Sequence, residues 1–104
     1  MAKVEVLAGV CGFVTRIEAR MEGELCNLEI QSDCEAVQRL AGELQQVNPY
    51  KEISARRAVP VTLQAGMKFC THAACPVPVG IIKAVEVEAG LALPKDVVIK
   101  VSKE

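Results

Sequence analysis

The stretch FVTRIEARMEGELCNLEIQ, residues 13–31, decides the fold because its apolar and polar residues alternate one by one. Such alternation is typical of a β-strand with one buried face and one wet face. Gly23 interrupts the pattern and predicts a turn between two strands. The residues predicted to face the core are Phe13, Thr15, Ile17, Ala19 and Met21 in the first strand, and Cys26, Leu28 and Ile30 in the second. We therefore predict an antiparallel hairpin.

The residues on either side extend this hairpin into a larger fold. A first strand is predicted upstream, where three apolar residues alternate with charged ones: Val4, Val6 and Ala8. Downstream, the segment SDCE at residues 32–35 matches a capping box, with Ser32 as the N-cap. Apolar residues then recur at helical spacing, which predicts a helix over residues 33–47 that ends before Pro49.

The second half of the chain predicts two more helices and a strand. Helical spacing of Leu63, Met67 and Cys70 predicts a short helix around residues 62–71, whereas residues 48–62 indicate a surface connection, with or without a short strand. Another helix is predicted to begin at Pro76, with Cys75 as its N-cap and Gly90 closing it. A final strand is predicted from the alternation of three apolar residues with their neighbours: Val97, Ile99 and Val101.

The element order β-β-β-α-α-α-β predicts one α+β domain covering residues 1–104. Its simplest arrangement is a two-layer sandwich with a four-stranded, mostly antiparallel sheet. The helices are expected on one face of the sheet, which carries Ile17, Leu28, Ile30 and Ile99.

Composition excludes several classes of function. The chain has 104 residues, of which 51% are hydrophobic and 3% aromatic, and its net charge is −1. Nucleic-acid binding normally needs a basic excess or stacking aromatics, so it is not expected. No apolar run approaches the roughly 18 residues of a membrane span, and the N-terminus does not resemble a signal peptide. We expect a cytoplasmic protein and leave open a protein partner or a homo-oligomer.

Five cysteines are the feature that points to a site. In a reducing cytosol, cysteine is usually a buried apolar residue, a metal ligand or a redox group. The predicted topology brings Cys11, Cys34 and Cys75 to one end of the sheet. Cys34 and Cys75 are also placed at helix N-termini, where the helix dipole stabilises a thiolate. His72, the only histidine, stands three residues before Cys75.

Packing is the alternative explanation for each cysteine. Cys26 is predicted to be a core residue because it alternates into the buried face of its strand. Cys70 shares a helical stripe with apolar residues and is also assigned to the core. For Cys34, packing and function are equally favoured. Cys75 is the strongest functional candidate, and we expect it to be the most reactive thiol.

Two resemblances bear on function. The segment CPVP at residues 75–78, opening a predicted helix, resembles small sulfur-carrier proteins that hold a persulfide on the cysteine of a Cys-Pro-X-Pro motif. This resemblance implies that Cys75 could carry sulfur. The whole chain resembles an uncharacterised family of roughly hundred-residue bacterial proteins. The segments that carry the second resemblance are AGVCGF at 8–13, SDCE at 32–35, HAACPVP at 72–78 and LALPKDV at 91–97.

These observations leave three hypotheses. The first is a soft-metal site, zinc or an iron–sulfur cluster, held by Cys11, Cys34, Cys75 and His72. The second is thiol or persulfide chemistry at Cys75, with another cysteine resolving it. The third is an interaction or structural module whose cysteines are only packed. The sequence does not favour an enzyme of a known class, since it has neither a G-x-S-x-G motif nor a glycine-rich phosphate loop.

Overall fold

The structure is a computed structural model that describes residues 1–104. A four-stranded antiparallel sheet packs with four helices, and together they form the α+β fold that the sequence predicts. In spatial order, the strands are β1 (Ala2–Leu7), β2 (Val14–Glu22), β3 (Leu25–Ser32) and β4 (Gln46–Val47). The helices are α1 (Glu35–Glu43), α2 (Pro49–Glu52), α3 (Val61–Phe69) and α4 (Val77–Glu88).

The first three strands confirm the predicted antiparallel meander. Ile17, at the centre of β2, lies opposite Val4 of β1 and Ile30 of β3, and it is completely buried. The turn between β2 and β3 contains Gly23 at φ 64°, a conformation that side chains with a Cβ rarely adopt. Alternation along residues 13–31 therefore determines both the hairpin and the face that it buries.

The predicted helix over residues 33–47 is too long at both ends. Its N-cap is Cys34 rather than Ser32, and it ends at Leu44, whose N–H donates to the Leu40 carbonyl (2.9 Å). Val47 belongs to β4 and lies opposite Cys26. A residue at helical spacing can equally reach the core from a strand, and the outer edge of β3 supplies the backbone partners that favour the strand here.

The predicted final strand is wrong. Residues 97–101 form no strand, and Ile99, which we placed on the buried face, is 77% exposed. The fourth strand of the sheet is instead β4, so the element order is β-β-β-α-β-α-α-α. Residues 97–101 have a high strand propensity, but they pair with no strand of this chain.

Helix α3 lies where the sequence predicts it, but it buries a different face. The buried residues are Thr62, Ala65 and Gly66, whereas Met67 is 82% exposed. A Cβ atom on Gly66 would lie 2.7 Å from the Pro78 Cγ atom of α4. Because the small residues face α4, the two helices approach each other closely along that side.

Helix α4 covers β1 and β2 and completes the core. Its N-cap is Pro76, one residue later than predicted, and Gly90 closes it at φ 74°, as predicted. Its buried residues include Ile81 and Val85. None of the helices is both long enough and apolar enough to cross a membrane.

Candidate functional site

Cys34 lies at the junction between β3 and α1, where its backbone is held by hydrogen bonds. Its N–H donates to the Ser32 Oγ atom (3.2 Å), and its carbonyl accepts from the Gln38 N–H (2.9 Å). The Thr15 hydroxyl of β2 donates to the same Ser32 oxygen (2.9 Å). Cys34 is half-buried and packs against the core. The sheet therefore sets the position of this thiol.

Cys70 and Cys75 are the two ends of the connection between α3 and α4. Cys70 is the C-cap of α3, and its N–H donates to the Gly66 carbonyl (2.9 Å). The chain then turns, with the Cys75 N–H donating to the His72 carbonyl (3.0 Å), and Cys75 immediately precedes the N-cap of α4. Both thiols are half-buried. Close packing of α3 on α4 and this turn hold the two residues near each other.

The environment of Cys70 shows that three thiols share one region. Burial, the negative charge of Cys75, a hydrogen-bonding interaction with Cys75 and the charge of Cys34 together raise the pKa of the Cys70 thiol to about 11. We call Cys34, Cys70 and Cys75 the thiol cluster.

Two of the predicted site residues lie outside the thiol cluster. Cys11 is exposed in the turn between β1 and β2, where Gly12 at φ 74° donates its N–H to the Gly9 carbonyl (2.9 Å). His72 is exposed in the turn before Cys75. No group of three or more histidine, cysteine, aspartate or glutamate side chains in the structure is arranged to hold a metal ion. Metal binding by Cys11, Cys34, Cys75 and His72 therefore stays a prediction.

Cys26 is a core residue, as the alternation of β3 predicts. It is completely buried, in the same cluster as Leu28 and Leu40. Burial raises the pKa of its thiol, and the nearby Glu88 carboxylate acts in the same direction. A protonated, inaccessible thiol of this kind serves packing.

Cys70 is the member of the thiol cluster that the sequence prediction missed. Its helical spacing from Leu63 and Met67 predicted that the three side chains form an apolar stripe facing the core. That stripe is not on the face that α3 buries. Gly66 was the available signal, because a glycine within a helix often marks the close approach of a neighbouring element. With Gly66 on the contact face, Cys70 falls at the helix end beside the next segment of chain.

The fold and the thiol cluster define a small α+β domain with cysteines at three helix ends. The chain belongs to a family of unknown function, DUF6951, whose model matches residues 2–101. This match confirms the resemblance to an uncharacterised family and gives no support to the resemblance to sulfur-carrier proteins. A search of curated proteins found no similar protein, and a search of solved structures found no similar structure.

Proposed function

We propose that this protein performs thiol–disulfide chemistry, with Cys75 as the attacking thiol and Cys70 as the thiol that resolves the mixed disulfide. The observation that carries the proposal is that Cys70 and Cys75 are the two ends of one short turn and are both only partly buried, with the charge of Cys75 acting on the Cys70 thiol. Two thiols at the ends of one short turn are placed to exchange a disulfide within one chain.

The roles of the two thiols follow from their surroundings. Cys75 precedes α4, a helix of 12 residues whose first N–H groups have no side-chain cap. Free N–H groups and the helix dipole favour negative charge at that end. Cys70 retains its proton to a pKa of about 11. These surroundings support Cys75 as the attacking thiol and Cys70 as the resolving thiol.

The proposed reaction has two balanced steps. The Cys75 thiolate attacks one sulfur of a substrate disulfide, the substrate S–S bond breaks, and the released thiolate takes a proton from water. Cys70 then loses its proton and attacks the Cys75 sulfur, which breaks the mixed disulfide and releases the second substrate thiol. The substrate gains two electrons, and the protein is left with a Cys70–Cys75 disulfide. A small thiol would return the pair to the reduced state.

An aromatic disulfide that releases a coloured thiol tests the proposal. The Cys11→Ser variant is the background, because the exposed Cys11 would itself react with the reagent. We expect this protein to release two coloured thiols in quick succession and to end with an intramolecular disulfide between Cys70 and Cys75. Adding Cys70→Ser should stop the reaction at a stable mixed disulfide on Cys75, as mass spectrometry of tryptic peptides would show.

The matched control adds Cys34→Ser to the same background, which removes the third thiol of the cluster and leaves the proposed pair intact. Release of both coloured thiols should persist in this control. The proposal fails if the mixed disulfide accumulates on Cys75 while Cys70 is present, or if the rapid reaction survives Cys75→Ser.

Soft-metal binding is the second candidate, and the influence of Cys75 and Cys34 on the Cys70 thiol supports it. Thiolates prefer zinc, copper(I) or iron over magnesium and calcium. The side chains as they stand do not form a metal-holding group, so binding would have to reorient them. Elemental analysis of protein purified without oxygen tests this candidate. One zinc or iron per chain, lost in Cys34→Ser and retained in Cys11→Ser, would support it over disulfide exchange.

A further inference from the structure

The last 13 residues, 92–104, form a tail that contacts almost nothing in its own chain. No tail residue takes part in a hydrogen bond or a salt bridge, and every residue from Leu93 onward is exposed. The tail nevertheless contains a concentrated apolar run. Its exposed fractions are 56% for Val97, 71% for Val98, 77% for Ile99 and 91% for Val101.

The tail has the composition of a β-strand. Four of the five residues from 97 to 101 are β-branched and apolar, a residue class enriched in strands because it packs well on a pleated surface. An exposed run of this kind normally pairs with a sheet edge, since otherwise it is an aggregation hazard. The tail therefore requires a partner edge.

Strand β1 is the long uncovered edge of the sheet. It is the first of the four strands in spatial order, and β2 is its only strand partner. At the other side of the sheet, β3 is already paired with β4, and the Leu28 N–H donates to the Gln45 carbonyl (2.9 Å). An additional strand of about six residues fits only along β1.

The side chains of the tail match those of β1. An antiparallel register that sets Lys100 opposite Glu5 also sets Ile99 and Val101 opposite the two inward-facing valines of β1. Lys100 would then lie on the wet face of the sheet, where Glu5 already pairs with Arg16 (3.4 Å). Apolar residues thus meet the core side, and opposite charges meet on the solvent side.

The tail begins close to the N-terminus of its own chain. Helix α4 ends beside the N-terminus, where Glu88 contacts the Met1 amino group (3.4 Å), and the chain leaves the globule after Gly90. The molecule measures 47 Å along one axis and 27 Å along the other two. At about 3.3 Å per extended residue, the seven residues from Gly90 to Val97 span about 23 Å, enough to reach a neighbouring molecule.

We propose that residues 97–102 of one copy add as a fifth strand to the β1 edge of a second copy, and that the second copy returns the same contact. The exchange is isologous, so it closes into a two-fold dimer and leaves no unpaired apolar strand. It places Val97, Ile99 and Val101 of both tails on the core side of the sheet and covers both free edges. This interface is independent of the thiol chemistry proposed above.

Sedimentation equilibrium of the full chain, with amide hydrogen exchange, tests the proposal. The wild type should have twice the chain mass of 11.2 kDa, with protected amides in residues 97–102. Ile99→Pro removes an N–H and cannot pair at the centre of a strand, so its dimer dissociation constant should rise about tenfold or more. Ile99→Val retains the N–H and the β-branched side chain and is the matched control.

Three outcomes would overturn the proposal. The first is a wild-type monomer with unprotected tail amides, which would make the tail a free extension. The second is a monomer with protected tail amides, which would place the tail on its own sheet. The third is a dimer whose dissociation constant Ile99→Pro does not change. Ile99 is outside the core, so unfolding of the variant is not expected to complicate the result.

Discussion

Cys70 is the residue whose chemistry depends most on its neighbours. Burial is the largest cause of its raised pKa, and the charge and hydrogen bond of Cys75 follow. Cys75→Ala removes the two contributions of Cys75 and retains most of the burial, so the pKa of Cys70 should fall from about 11 toward its ordinary value of 9.0. Alkylation of Cys70 near pH 9 should accelerate several-fold, because each unit of pKa changes the thiolate fraction about tenfold in this range.

Mass-resolved alkylation measures this rate separately for each cysteine. Cys11→Ala is the matched control, since Cys11 is exposed and is not among the causes of the Cys70 shift. An unchanged Cys70 rate in Cys75→Ala would show that the two side chains do not interact in solution. Buried Cys26 should be labelled only on unfolding.

Glu52 is a buried carboxylate that caps a helix from a distance in the sequence. It is 2% exposed and accepts hydrogen bonds from the Val61 N–H (3.1 Å), the Thr62 N–H (2.8 Å) and the Thr62 hydroxyl. The N-cap of α3 is Pro60, which offers no side-chain acceptor. Glu52→Gln turns an amide donor toward these donors and should lower the free energy of unfolding by about 1–3 kcal/mol.

Chemical denaturation measures this change, and Glu43→Gln is the matched control. Glu43 pairs with Lys68 at 2.8 Å, but both side chains are more than half exposed. An exposed ion pair contributes about 0–1 kcal/mol, so the control should change stability less than Glu52→Gln does. Equal losses in the two variants would contradict the capping role of Glu52.

Two glycines on different helices test how closely α4 packs on the sheet. A Cβ on Gly80 would clash with the Val6 side chain of β1, whereas a Cβ on Gly42 of α1 would have nothing within 4 Å. Alanine is the better helix former by about 1 kcal/mol, so Gly42→Ala should stabilise the protein by up to that amount. Gly80→Ala should destabilise it by about 1–3 kcal/mol, because overpacking outweighs the gain in propensity.

Thermal or urea unfolding of both variants measures the contrast in sign. Stabilisation by Gly80→Ala would mean that α4 can move away from β1 at little cost. The same substitution within a helix thus has opposite effects on stability, according to what lies against that helix.

Glu88 joins the end of α4 to the start of the sheet. It makes the stability of the whole molecule depend on pH in the acidic range. The Met21 N–H donates to its Oε2 atom (3.0 Å), and the Met1 amino group lies 3.4 Å from its Oε1 atom. The Met21 hydrogen bond, followed by the N-terminal amino group, holds the pKa of Glu88 below its ordinary value of 4.5. A lowered carboxyl pKa stabilises the folded state above pH 4.5, and that stabilisation is lost as the pH falls through the lowered value.

Comparison of the wild type with Glu88→Gln across a pH series checks this linkage. The wild type should be the more stable protein above pH 4.5, and the difference should shrink steadily at lower pH. Glu5→Gln is a suitable control, because Glu5 is an exposed carboxylate on the outer face of β1. A stability difference that does not depend on pH would contradict the role of Glu88 charge.

The local sequence pattern was sufficient to predict much of the fold. The alternation over residues 13–31, the turn at Gly23 and the helix closed by Gly90 each depend on side-chain periodicity or on a single backbone angle. The α+β class and the buried position of Cys26 follow from the same signals. These features could be predicted because a strand or a helix end is determined mainly by residues that are close in sequence.

Tertiary structure alone decided the rest. Strand β4 exists because β3 has a free edge beside it, whereas residues 97–101, with a stronger strand pattern, pair with no strand of their own chain. Likewise, Cys70 joins Cys75 because Gly66 lets α3 approach Pro78. Spacing along the sequence determines which face a residue can occupy. Which face is covered, and by what, depends on contacts between segments that the local pattern does not specify.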